Sequence, residues 1–176
     1  PSNKQAKMGQ TNWLSELGRF FLVLLLQVLL LNHIRLFGYI NPYFYIYFII
    51  LYPLTGNRTL LILLSFLLGF GVDLFSDTGG VHAAAAVFIG WARPLFLKFS
   101  FGVSYQYNTI KVPSAPLQQQ LIYVVSIVFT HHLLLFSLEA FASRHWALIL
   151  SNTLSSSLFT SVLIMGAFYL FSTKNK

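Results

Sequence analysis

The residue types best able to do chemistry cluster at Gly69-Phe70-Gly71-Val72-Asp73-Leu74-Phe75-Ser76-Asp77, followed by Gly79-Gly80-Val81-His82. Asp73 and Asp77 stand four apart, so a helix continuing through both would present two carboxylates on one face. With His82 just beyond, the set has the donor types of a cation site. No H-E-x-x-H spacing accompanies it, and only His33 offers a further ligand at that end, so no metal is expected. A structural role accounts for the same residues more simply. Gly69 and Gly71 permit close helix approach, and Gly79-Gly80 supplies unusual backbone angles. Asp73 is expected to accept hydrogen bonds from the Ser76–Gly80 backbone, with His82 as a further donor.

His131-His132 form a second group, near the middle of an apolar run. The next run carries Ser151-Asn152-Thr153, Ser155-Ser156-Ser157, Thr160 and Ser161. Counted from opposite faces, Ser157 to Ser161 reach the depth of His131. His131, His132, Ser157, Thr160 and Ser161 thus make a candidate intramembrane polar cavity, read either as a ligand pocket or proton relay, or as interhelical hydrogen bonds. Catalysis is not expected. The serines have no G-x-S-x-G elbow and no recognisable His–Asp order, and no glycine loop has a phosphate-binding form. Glu139 is expected to pair with Arg144 or Arg35, and Arg93 and Lys98 to snorkel toward an interface.

The elements positioning these residues follow from composition. Of 176 residues, 56% are hydrophobic and only 9% charged, with 18 Phe and a mean hydropathy of +0.70. Soluble domains carry about 25% charged residues, so lipid is the expected solvent. Without Cys the chain has no disulfide, thiolate ligand or cysteine nucleophile. Six continuous apolar runs predict helices over about Leu14–His33, Phe37–Leu54, Arg58–Phe75, Val81–Phe99, Leu117–Phe141 and Trp146–Phe171. They lack the ten-residue alternation of a membrane barrel. Pro42 leads the second run and Pro53 ends it.

The expected fold is therefore an all-α membrane protein of six transmembrane helices, a compact bundle with short loops. Residues 1–13 read as a polar flank, with Met8 a natural start, 14–172 as the six-helix domain, and 173–176 as a tail. The first run is not expected to be a cleaved signal peptide. Six spans gather Lys4, Lys7, Arg19, Arg58, Arg93, Lys98, Lys111, Lys174 and Lys176 on one side, leaving Arg35 and Arg144 on the other. The positive-inside rule makes both termini cytoplasmic. Trp13, Tyr123 and Tyr169 are then expected at the inner interface, and Tyr39 and Trp146 at the outer one. Dispersed cations make nucleic-acid binding an unlikely use of the charge.

Gly69-x-Gly71-x-Asp73-Leu74-x-Ser76, followed by Gly79-Gly80-x-His82-Ala83, resembles the rod-shape-determining membrane protein family MreD. Gln27 in the first span, Asn41-Pro42 leading the second, the span count and the size agree with it. The loop with Pro113 and Pro116 and the His131-His132 pair have no counterpart in the pattern. The resemblance implies a non-enzymatic scaffold of bacterial cell elongation in the inner membrane, without cofactor. Its implied partners are an MreC-like single-span wall-elongation protein, the MreB filament and wall synthases, besides membrane lipid. The six-helix layout is also similar to the substrate-binding subunits of energy-coupling-factor transporters, which implies a small-molecule-binding alternative.

Overall fold

Five of the six apolar runs are continuous helices, and the second is not. The computed structural model describes residues 13–34, 40–102, 110–140 and 146–172. Helix α1 spans Trp13–Leu29, with a 3-10 turn at Leu31–His33. Helix α2 is the short Ile46–Leu51, followed by α3 Arg58–Ser76 and α4 Val81–Phe101. A 3-10 turn at Val112–Ser114 leads into α5 Leu117–Glu139, and α6 is Trp146–Ser172. Among the described residues there is no strand. The segments Trp13–His33, Arg58–Ser76, Val81–Phe101, Leu117–Glu139 and Trp146–Phe171 are each long and apolar enough to cross a bilayer. The chain is a multi-pass membrane protein. Lys4, Lys7, Arg35, Tyr39, Arg144, Lys174 and Lys176, which entered the topology reading, lie outside the described residues.

The second run departs from the expected Phe37–Leu54 helix. Of its described part, only Ile46–Leu51 is helical, and residues 37–39 are not described. The physical reason is local. Pro42 brings no N–H, and the amides of Tyr43 and Tyr45 bond to side chains, Thr160 Oγ1 at 3.1 Å and Gln27 Oε1 at 3.2 Å. The β-branched and aromatic stretch that follows has low helix propensity. Packing compensates, because Tyr45, Ile46, Phe48, Ile49 and Ile50 are all fully buried.

This broken segment runs through the centre of the bundle. Phe48 packs edge-on against Phe20, with ring centroids 5.5 Å apart, while Pro42 and Tyr45 meet Gln27 further along α1. It is therefore antiparallel to α1. Helices α1 and α3 run parallel, since Asn32 Nδ2 donates to Ser76 Oγ at 2.9 Å and Gly71 faces the Leu24 side chain. The five described cations, Arg19, Arg58, Arg93, Lys98 and Lys111, lie toward the end where α3 starts, and Asp73, Asp77 and Glu139 toward the other. These are called the basic and acidic ends below.

Helices α3 and α4 form a tight hairpin. Asn57 caps α3, its Oδ1 accepting from Thr59 N at 2.8 Å and Leu60 N at 3.3 Å. Gly69 is the point of closest approach, where a Cβ would sit 2.5 Å from His82 O and 2.6 Å from Ala83 Cα. Those are backbone atoms and cannot swing aside. Gly69→Ala is expected to lower stability by about 1–3 kcal/mol, the cost of an overpacked contact, read from thermal unfolding in detergent. Gly71→Ala meets only the end of the Leu24 side chain and is expected to cost far less.

Candidate functional site

The break in the second run places backbone polar groups inside an apolar bundle, where each must find a partner. Side chains from the long helices supply them, and two polar centres result. At the acidic end, Gln27, fully buried on α1, donates to Pro42 O at 3.0 Å and to Asn32 Oδ1 at 2.8 Å while accepting from Tyr45 N. Tyr45 Oη lies 2.6 Å from His131 Nε2 and 3.2 Å from His82 Nδ1. The phenol has one proton to give, so it donates to one imidazole and accepts from the other. His131 Nδ1 is buried with no partner among the described residues.

His132 uses its nitrogens differently. Its Nδ1 is 2.7 Å from Val128 O, which can only accept, so Nδ1 carries a proton. In the neutral ring Nε2 then accepts from Thr160 Oγ1 at 3.4 Å, and Thr160 accepts from Tyr43 N. Two residues of the candidate polar cavity, His132 and Thr160, thus meet between α5 and α6. Ser157 and Ser161 are buried on the same helix, but their hydroxyls, like those of Thr153 and Ser156, have no partner among the described residues. Helix α6 is inverted in amphipathicity, with this hydroxyl stripe inward and Leu154, Leu158 and Val162 outward.

Asp73 is buried and accepts three hydrogen bonds, from Thr78 Oγ1 at 2.6 Å, His82 N at 3.1 Å and Ala83 N at 2.8 Å. The donors differ from the expected Ser76–Gly80 backbone. The carboxylate reaches past the turn to the start of α4, where free amide groups and the helix dipole both favour an anion. The His82 ring does not donate to it and turns to Tyr45 instead. Asp77 does not share a face with Asp73, because α3 ends at Ser76 and Asp77 is a left-handed cap with φ 53°. Gly79 and Gly80 carry φ of 65° and 98°, the angles that return the chain into α4. Among the described residues no three His, Cys, Asp or Glu side chains converge as a metal shell would require.

Arg93 forms the centre at the basic end. It is 4% exposed, so it does not snorkel. Its Nε donates to Tyr123 Oη at 3.0 Å, and Nη2 to Ile50 O at 3.2 Å and to Tyr52 O. The guanidinium thus satisfies carbonyls freed at the end of α2, where partial negative charge gathers. Tyr123, expected in an interfacial belt, is fully buried in this contact. Lys98 is exposed. Glu139 makes no ion pair among the described residues; both arginines proposed for it are undescribed.

Tyr45 carries no signal of its role in the sequence, nor do Tyr123 and Arg93 of theirs as anchors for the end of α2. The available clue to the break was Asn41-Pro42 with Pro53, which leave few residues for a helix between them. Cavities flank both centres. One of about 360 Å³ at the acidic end is lined by His33, Asn41, Thr78, His82 and Glu139 among others. One of about 390 Å³ at the basic end is lined by residues including Arg19, Arg93 and Lys111. Among the described residues no serine is hydrogen-bonded to a histidine, and no carboxylate to a histidine ring. No family model, curated protein or solved structure matches the chain.

Proposed function

We propose that the chain is a non-enzymatic scaffold subunit of the bacterial cell-elongation machinery, seated in the inner membrane and serving peptidoglycan synthesis and rod shape. One observation carries the reading. The residues of the MreD-like motif are engaged in holding α3 against its neighbours: Gly69 at the closest approach, Asp73 on the α4 amides, Gly79-Gly80 in the return turn and Gly71 against α1. A motif used in this way fixes the shape of a surface and leaves no group over for a reaction. On this reading the broken segment is a sixth crossing, both termini are cytoplasmic beside the basic end, and the partners are an MreC-like single-span protein and, through it, the MreB filament and wall synthases.

Depletion in a rod-shaped host is expected to round the cells, and gentle solubilisation to recover the single-span partner. Unchanged shape and wall insertion would remove the scaffold reading. The acidic-end cavity favours a second reading, a small-molecule-binding subunit of an energy-coupling-factor-type transporter, because it is concave and rich in placed polar groups. A stoichiometric co-purifying metabolite would select that alternative.

A further inference from the structure

The basic-end cavity has a charge balance that the scaffold reading does not use. Arg19, Arg93 and Lys111 line it together with Tyr52, Phe168 and Phe171, and no carboxylate is among its lining residues. Its three cations come from α1, α4 and the segment before α5, so folding brings together charges far apart in sequence. Two are held in place. Arg93 is pinned by Tyr123 and the carbonyls of Ile50 and Tyr52, and Arg19 lies over the Phe48 ring at 5.7 Å while paired with Glu16. Glu16 offsets only one of the three charges. Among the described residues Arg19 Nε has no acceptor and the Lys111 ammonium has no hydrogen bond or ion pair.

We propose that this cavity binds the phosphate of an anionic phospholipid headgroup. Lys111 and Phe171 are both exposed and both reach the cavity wall, so it communicates with the surface. Phe171 lies one residue from the end of α6, and Lys111 lies just before the turn that leads into α5. The cavity is thus at the helix ends, the level at which lipid phosphates lie, and basic pockets between membrane helices suit such headgroups. A phosphate ester supplies an acceptor for Lys111 and a counter-charge for Arg19 and Arg93, and acyl chains continue along the exposed outer face of α6, past Phe171.

The test uses the full chain in nanodiscs of equal phosphatidylglycerol and phosphatidylcholine, extracted into detergent and weighed by native mass spectrometry. The wild type is expected to retain phosphatidylglycerol selectively. Lys111→Gln is expected to reduce retention about fivefold, the share of one cation at a membrane surface. Lys98→Gln, an exposed cation at the same end outside the cavity, is expected to leave it unchanged. Equal loss in both variants, or no preference over phosphatidylcholine, would overturn the site. A Lys111-dependent adduct of inorganic phosphate in lipid-free detergent, without lipid retention, would assign the cavity to a soluble phosphate and overturn the lipid assignment. A co-purifying acidic protein segment in place of lipid would do the same.

Discussion

Arg93→Ala is expected to abolish the folded bundle. The substitution strips Ile50 O and Tyr52 O of their charged donor, leaving Ile50 O only the long bond from the Tyr123 hydroxyl at 3.4 Å. Hydrogen bonds to charged groups contribute about 1.5–3 kcal/mol each. A combined loss above about 4 kcal/mol approaches the whole stability of a typical domain. The measurement is the yield of monodisperse protein and its unfolding temperature in mild detergent. Arg93→Lys keeps the charge but loses the planar fork, so an intermediate result is expected. Arg58→Ala removes one exposed bond to Trp91 O and is expected to change little.

Asp73→Ala has the next largest expected effect. It leaves the amides of His82 and Ala83 and the Thr78 hydroxyl without their acceptor, at about 1–3 kcal/mol for each buried orphan. It also removes negative charge from the start of α4. A loss of about 3 kcal/mol is expected in thermal unfolding, with the α3–α4 angle no longer fixed. Asp73→Asn is expected to be milder, because one oxygen remains, though its amide nitrogen then faces a donor. A chelator is expected to leave the wild-type transition unmoved. An Asp73→Ala variant that melts like the wild type, or chelator sensitivity lost in Asp73→Asn, would contradict the capping role.

How far the fold was legible depended on what each residue does with its backbone. The long helices follow their apolar runs to within a few residues, as at Arg58–Ser76 and Leu117–Glu139, because a run of bilayer length has one low-energy form in lipid. The Phe37–Leu54 run misled because hydropathy sums are the same for a continuous buried helix and for a buried segment that is helical only over Ile46–Leu51. Arg93 misled for a related reason. A lone intramembrane cation is expected to escape to the interface, unless a broken helix nearby offers carbonyls, and the break was not foreseen. Asp73 was legible as a corner anchor, but its donors were not, since they depend on how far α4 starts beyond the turn. The histidines and hydroxyls of the interior were visible as a group. Their linkage through Tyr45 depends on the same unforeseen break in the second run.

The central claim is that the chain passes through the bundle at Tyr43–Tyr52, so that His33 and Asp77 share one side while Thr55 and Lys111 share the other. A chain without cysteine permits single-cysteine labelling at each position. With an impermeant thiol reagent on intact cells, His33→Cys and Asp77→Cys are expected to label. Thr55→Cys and Lys111→Cys are expected to label only after permeabilisation. Labelling of Thr55→Cys together with His33→Cys in intact cells would mean that the segment between them does not cross, and would contradict the account.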